Sequence, residues 1–151
     1  MARWLRLFLI ALCIIAFVVV TALLARALSV DGSERAAITT LVQDEAKGDA
    51  PGMVALIKGC RQKPGCRVRV AQNAAKLHRP GRVLILTVNP SAGFSLTGTL
   101  GTARVAWRAG KSLPVVQCVR VRRAGDVISG LSIQLLAISP RISTNGVCAS
   151  G

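Results

Sequence analysis

The chain has 151 residues, and its 20 Lys and Arg against 6 Asp and Glu give a net charge of +14 at pH 7. It contains no complete catalytic or metal-binding motif, and beyond its first 25 residues the only Phe, Trp or Tyr side chains are Phe94 and Trp107. Because proteins that bind single-stranded nucleic acid usually stack bases on aromatic side chains, a nucleic-acid partner is not expected.

An uncharged run from Leu7 to Ala25 stands near the N-terminus. At about 1.5 Å per residue it makes roughly 28 Å of helix, which matches a bilayer core of roughly 30 Å. The sequence therefore predicts a transmembrane anchor over residues 7–26, after a cytoplasmic start at 1–6. A cleaved signal peptide is the alternative, because Ala25-Arg26-Ala27 has the small-x-small form of a cleavage site.

The remainder of the chain is long enough for one small domain. We expect a linker at 27–33, a domain at 34–142 and a polar tail at 143–151. The N-terminal position of the anchor and the even number of cysteines in the domain indicate a single-pass protein of the cell membrane. Its C-terminal domain is expected to lie outside the cytoplasm.

The domain is predicted to start with an amphipathic helix. The segment Asp31-Gly-Ser-Glu34 has the form of a capping box, so this helix begins at Asp31 or Ser33. Gly48 ends it. Its buried stripe, at helical spacing, consists of Ile38, Leu41 and Val42.

Two further helices are expected before the first strand. Asp49 caps the second helix, and Pro51 occupies an early position that tolerates proline. The third helix covers residues 67–78 and stops at Pro80-Gly81. The side chains predicted to be buried in these two helices are Met53, Val54, Ile57, Val70, Ala71, Ala74 and Leu77.

From residue 82 onward the hydrophobic period changes from 3.6 to 2, which is typical of strands. The predicted elements are a central strand at 82–88, a loop or irregular hairpin at 91–101, strands at 102–109 and 115–123, a turn at Gly125-Asp126, and a last strand at 127–138 that Ser139-Pro140 ends. The side chains expected to face inward are Ala103, Val105, Trp107, Val115, Val119, Val121, Leu131, Ile133 and Leu135.

Helices followed by antiparallel strands indicate an α+β fold. We expect a single transmembrane helix, then about three helices packed on a curved antiparallel sheet of about four strands. This order, with the strands TARVAW, PVVQCVRVRRAG and LLAISP, resembles the nuclear-transport-factor-like (cystatin-like) superfamily over about residues 33–138. The resemblance implies a membrane-anchored bacterial surface protein. Because this superfamily hosts enzymes, scaffolds and ligand carriers, it does not indicate a function by itself.

Four cysteines follow the anchor, which itself contains Cys13 as a small apolar residue. Cys60 and Cys66 enclose a short basic loop, RQKPG, that can turn back on itself. We therefore predict a Cys60–Cys66 disulfide and a second one, Cys118–Cys148, that ties the tail to the sheet. A zinc site is the alternative, although zinc sites usually place their cysteines in pairs two to four residues apart. No metal and no cofactor is expected.

Candidate catalytic groups are few. Enzymes of the resembled superfamily place Asp, His or Tyr inside the domain, whereas this chain has no Tyr and one His. His78 is expected to end the third helix, and Cys118 to form a disulfide rather than act as a thiol nucleophile. An enzyme is therefore not predicted. The acidic residues are expected at helix starts, exposed helix faces or turns, without an inward pair: Asp31, Glu34, Asp44, Glu45, Asp49 and Asp126.

Without Arg3, Arg6 and Arg26, seventeen Lys and Arg against six acidic residues leave the domain with a net charge of +11. Two basic clusters are candidate sites for anions; arginine as the ordinary surface cation is the alternative. The cluster around the first disulfide loop consists of Arg61, Lys63, Arg67 and Arg69. The cluster on alternating positions of neighbouring strands consists of Arg104, Arg108, Arg120 and Arg122.

These observations favour a non-enzymatic, membrane-anchored binding or structural module outside the cytoplasm. Its expected partner is an envelope protein, an anionic polymer or the membrane surface. The alternative is a carrier of a small apolar ligand. Such a ligand would occupy a pocket between helices and sheet lined by Met53, Ile57, Leu77 and Trp107.

Overall fold

The computed structural model describes residues 2–90, 99–126 and 130–148. Its elements are α1 (Ala2–Lys47), α2 (Ala50–Leu56), a single 3₁₀ turn (Cys60–Gln62), α3 (Pro64–Leu77), β1 (Val83–Asn89), β2 (Thr99–Ala109), β3 (Val115–Asp126) and β4 (Gly130–Ile138). Within the described residues the strands form one antiparallel sheet in the order β1-β2-β3-β4. The predicted α+β fold, with helices before a four-stranded sheet, is confirmed.

Helix α1 is continuous over 46 residues. Its segment Arg6–Ala25 has a mean hydropathy of 3.2 and no part buried against the domain, so it is long and apolar enough to cross a membrane. The prediction that a new helix begins at Asp31 or Ser33 is wrong, because the expected linker at 27–33 is itself helical. The physical reason is that extending an existing helix costs far less than starting one, so a capping sequence inside it has no effect.

The hydrophobic core lies between α1 and one face of the sheet. Ile38, Leu41 and Val42 are fully buried, as predicted. Each such side chain stabilises the fold by roughly 1.5–3 kcal/mol relative to an exposed position, so this stripe fixes α1 on the sheet. The facing side chains come from alternate positions of the strands and include Ala103, Val105, Trp107, Val115, Val119, Val121 and Leu135.

The connection from α1 to α2 is a tight turn. The Gly48 N–H donates to the carbonyl of Glu45 and the Asp49 N–H donates to that of Asp44, which is the Schellman pattern of a helix end. Gly48 has a φ of 78°, in the left-handed region. The Asp49 carboxylate then accepts from the Gly52 N–H, so the predicted cap of α2 is confirmed.

Helix α3 begins at Pro64, three residues earlier than predicted, because proline fits the first helical position. Its buried face differs at one position from the prediction. Ala71 is exposed, whereas Asn73 is buried and donates through Nδ2 to the carbonyl of Ser139 at 2.9 Å. Val70 is fully buried, as expected.

Strand β1 lies at the edge of the sheet, so the prediction of a central strand is wrong. Leu84 and Leu86 are exposed on the face away from the helices. Apolar residues on both faces of a strand are typical of a strand whose two faces are covered, but this pattern does not show which strands pair with its edges. Here the strands follow one another in sequence order, which leaves the first of them outermost.

The predicted turn at Gly125-Asp126 is also wrong, because both residues are paired in the β3–β4 ladder. Their connection falls on residues 127–129, outside the described part of the chain. The predicted loop at 91–101 is also only partly described. Residues 91–98 lie outside the described part of the chain, and residues 99–101 belong to β2. Leu135 is buried and Ile133 half-buried, as expected; the side chain of Leu131 is not among those described.

Both predicted disulfides are present. Cys60 and Cys66 are joined with their Cα atoms 5.3 Å apart, and Cys118 and Cys148 with theirs 5.7 Å apart. All four thiols are therefore used, which excludes the zinc alternative at these cysteines. The second bond holds the tail against the outer face of the sheet, where Ile142 also bridges Val116.

Replacing Gly48 with alanine should lower the free energy of unfolding by about 1–2 kcal/mol, because a Cβ is disfavoured at a left-handed position. The added Cβ would also lie 3.2 Å from Nδ1 of His78. Chemical unfolding of the full chain in neutral detergent measures the change. Gly32→Ala is the control: this site is helical and open, so alanine should stabilise it by up to about 1 kcal/mol. Equal effects of the two changes would contradict this account of the turn.

Candidate functional site

A cleft of about 810 Å³ lies where the segment between α2 and α3 meets β3 and β4. We call it the basic cleft. Five cationic side chains line it, and no Asp or Glu does. Its lining residues are Lys58, Gly59, Lys63, Gly65, Cys66, Arg69, Val70, Leu100, Arg120, Arg122, Leu136, Ala137 and Ile138.

Lys58 reaches the cleft through a short strand-like contact after α2. Ile57 forms a parallel bridge with Leu135, and the Lys58 N–H donates to the Leu135 carbonyl at 2.8 Å. The ammonium group of Lys58 donates to Oε1 of Gln134 at 2.9 Å. The free edge of β4 thus holds this lysine in place beside the sheet.

Lys63 and Arg69 come from the disulfide loop and the first half of α3. The Cys60–Cys66 bond closes the loop, and the Lys63 N–H donates to the Cys60 carbonyl at 3.1 Å. Arg69 is exposed and directly precedes Val70, which is buried in the core. The loop is therefore anchored on both sides of its cations.

Arg120 and Arg122 come from β3. They alternate with Val119 and Val121, whose side chains are fully buried on the helix side of the sheet. Because side chains alternate along a strand, the two arginines project from the outer face. Arg120 lies opposite Ala137 of β4, and both arginines are exposed.

Among the described residues, none of the five cations of the cleft forms an ion pair with a carboxylate. Like charges in one concave surface raise the local positive potential and attract anions. Such a surface can bind phosphate or carboxylate groups through charge-assisted hydrogen bonds.

The cleft combines residues from both predicted basic clusters. The structure brings Lys63 and Arg69 of the loop cluster together with Arg120 and Arg122 of the strand cluster. The two other loop residues, Arg61 and Arg67, are exposed and do not line the cleft.

Arg104 and Arg108 also lie outside the cleft. The tail covers Arg104, whose guanidinium donates to the carbonyls of Thr144 and Gly146. Arg108 is half-buried and lies opposite Leu84 of β1. The predicted single basic face of four strand arginines is thus divided, because the disulfide-bound tail lies across it.

The residues predicted to line an apolar ligand pocket lie in the core. Met53, Ile57, Leu77 and Trp107 are all buried and belong to one packed core cluster. None of them lines the basic cleft or the smaller cleft described below. The indole N–H of Trp107 donates to Oε1 of Gln117 at 2.9 Å, so this side chain is fixed by a polar contact as well as by packing.

His78 and Cys118 gain no catalytic surroundings. His78 is exposed and ends α3. With basic and apolar neighbours it lines a cleft of about 640 Å³ that contains no carboxylate. Cys118 is disulfide-bonded and has no free thiol. Within the described residues, no three His, Cys, Asp or Glu side chains are grouped to hold a metal ion.

The expectation that the acidic residues are exposed is wrong for Glu34 and Glu45, which are both fully buried. Glu34 accepts through Oε2 from Nε and Nη2 of Arg123, each at 2.9 Å. Oε1 of Glu45 accepts from the side-chain amide of Gln117 at 2.8 Å. Both acids stand at the spacing of the core stripe, four residues before Ile38 and four after Leu41, and this spacing was the signal that could have identified them.

Burial raises the pKa of Glu45 from its usual 4.5 to about 7, while hydrogen bonds from Gln117 and Asn73 act in the opposite direction. Desolvation penalises the charged carboxylate, so the neutral acid is favoured in the folded protein. Glu45 lines neither of the two clefts. We therefore assign it to the stability of the core rather than to a site.

Comparisons of the chain with protein-family profiles, with curated proteins and with solved structures found no match. The basic cleft is therefore the basis for a functional proposal. One of its five cations, Lys58, was missed from the sequence, because its place depends on a bridge to Leu135 that no local pattern encodes.

The carboxyl group of Glu45 should make the fold less stable as pH rises. Between about pH 4.5 and 7 the unfolded chain loses this proton while the folded protein keeps it, so the free energy of unfolding falls. The fall contributed by Glu45 is roughly 3 kcal/mol. Glu45→Gln keeps the acceptor oxygen and removes the titration. Unfolding of the two proteins across this pH range measures the difference, and parallel pH curves would refute the assignment.

Proposed function

We propose that the protein is a single-pass membrane-anchored module that binds anionic groups through the basic cleft. The observation that carries this proposal is the convergence of five cations from three parts of the chain in one cleft without an acidic residue. Because the chain places them there by the segment between α2 and α3, by α3 itself and by β3, the grouping is a feature of the fold rather than of arginine content alone. The proposal assigns no catalytic step.

The domain is proposed to lie outside the cytoplasm, with the apolar segment of α1 retained as the anchor. Two disulfides favour an oxidising compartment, since cytoplasmic thiols are normally kept reduced. The helix continues from the apolar segment into the core, so the anchor and the domain form one element. The arrangement of helices before an antiparallel sheet is also what the nuclear-transport-factor-like resemblance implies.

Anionic partners outside the cytoplasm include phosphate-bearing polymers, acidic envelope proteins and the membrane surface. All present negatively charged oxygens, which the guanidinium groups of Arg120 and Arg122 can bind in pairs. A carrier of an apolar ligand is less well supported, because the residues expected to line its pocket are packed in the core.

The double variant Arg120→Gln, Arg122→Gln should bind a phosphate-bearing polymer at least about tenfold more weakly, because two charge-assisted contacts are lost. The salt concentration that elutes the full chain, in neutral detergent, from phosphocellulose measures this loss. Arg61→Gln, Arg67→Gln is the matched control, with the same change in net charge at exposed residues outside the cleft. Equal elution of the two double variants would mean that net charge alone governs binding.

The location can be tested with a membrane-impermeant maleimide on intact cells that express a Cys13→Ser variant. Since Cys13 is the free cysteine among the described residues, labelling should appear only after reduction. Labelling confined to lysed cells would place the domain in the cytoplasm and overturn the proposed topology. Labelling without reduction would contradict the disulfides instead.

A further inference from the structure

We infer that the ligand of the basic cleft is an anionic phospholipid of the membrane that the protein's own helix spans. This inference rests on the proposed anion-binding function and adds the chemical class of the ligand. It draws on two further observations: the apolar part of the cleft lining, and the short stretch of helix between the apolar segment and Glu34, which is paired with the strand that carries two of the cations.

The lining of the cleft is amphipathic. Besides its five cations, the lining contains apolar residues that are exposed or half-buried, Leu100, Leu136 and Ala137, next to the buried Ile138 and Val70. Leu100 is 42% exposed to solvent. A free phosphate polymer gains nothing from contact with such residues, whereas an acyl chain or glycerol backbone is stabilised by burying apolar area. A volume of about 810 Å³ lies within the usual range for a small-molecule site.

The helix also sets a short distance between the domain and the bilayer that we propose it spans. Glu34 lies nine positions beyond Ala25, where the apolar segment ends, on the same continuous helix. At about 1.5 Å per residue this is roughly 13 Å, of which a headgroup layer of roughly 5–8 Å takes about half. Glu34 is paired with Arg123 of β3, and the preceding residue of that strand, Arg122, lines the cleft.

The gap that remains before Glu34 is therefore comparable with the Debye length of about 8 Å at physiological ionic strength. Over such a distance the attraction between exposed cations near Arg122 and the headgroups is weakened by salt but not abolished. A soluble polymer would have to compete for the cleft with lipid that the anchor keeps permanently nearby. These conditions favour the lipid as occupant over a polymer or an acidic protein.

The test uses the full chain in phosphatidylcholine vesicles that contain a trace of spin-labelled lipid. The motionally restricted fraction should be at least twofold larger for labelled phosphatidylglycerol than for labelled phosphatidylcholine. Arg120→Gln, Arg122→Gln should reduce the phosphatidylglycerol fraction to the phosphatidylcholine value, while the matched Arg61→Gln, Arg67→Gln variant should leave it unchanged. Leu100→Ser should lower it as well, whereas Leu113→Ser, exposed and outside the cleft, should not.

A second variant tests the distance between the cleft and the membrane separately from the charge of the cleft. An insertion of seven helix-forming residues after Ala27 lengthens α1 by about 10 Å and leaves the cleft residues untouched. It should reduce phosphatidylglycerol restriction to the phosphatidylcholine value. Elution of the same variant from phosphocellulose should stay at the parent's salt concentration, because the cations are intact.

The outcomes distinguish the two proposals. If both labelled lipids behave alike but phosphocellulose binding depends on Arg120 and Arg122, the lipid inference is overturned and the anion-binding function stands with a polymer as its ligand. If neither depends on these arginines, both proposals fail. If the seven-residue insertion leaves lipid restriction unchanged, the lipid does not come from the membrane that holds the anchor, and the inference is overturned in that form.

Discussion

The fold depends on a single helix that belongs to two environments. The first part of α1 is apolar on all sides, and its later part carries the buried stripe around Leu41 on which the domain is built. Both other helices and the strands β1, β2 and β4 contact α1. Because one run of backbone hydrogen bonds spans both parts, the orientation of the domain is coupled to that of the anchor.

The few acidic residues are concentrated along this helix, which explains why the cleft stays positive. Glu34 neutralises Arg123, Asp44 lies 3.7 Å from the ammonium group of Lys47, and Asp49 caps α2. Glu45 is buried with a raised pKa and so contributes little negative charge below neutral pH. Among the described residues no acid lines the basic cleft, so its positive potential follows from the positions of the acids elsewhere in the fold.

Most features set by local sequence were predictable, whereas most of those set by distant contacts were not. Period 2 located β2 and β3, and the short loop between Cys60 and Cys66 indicated its disulfide, because each depends on neighbours in sequence. The break expected at Asp31 failed because the preceding helix simply continues. The site was predictable in part. The sequence singled out its arginines, but their grouping with Lys58 in one cleft depends on the contact of this lysine with Gln134 of β4, which lies 76 residues later in the chain.

The uninterrupted helix between Ala25 and Glu34 also sets the rotation of the domain about the axis of α1. Each residue of an α-helix turns the chain by about 100° and advances it by only about 1.5 Å. The number of residues in this stretch therefore decides which side of the domain faces a given neighbour in the plane of the membrane, while hardly changing its height. A natural relative longer or shorter by one residue here would keep the same cleft and present it to a different part of its surroundings.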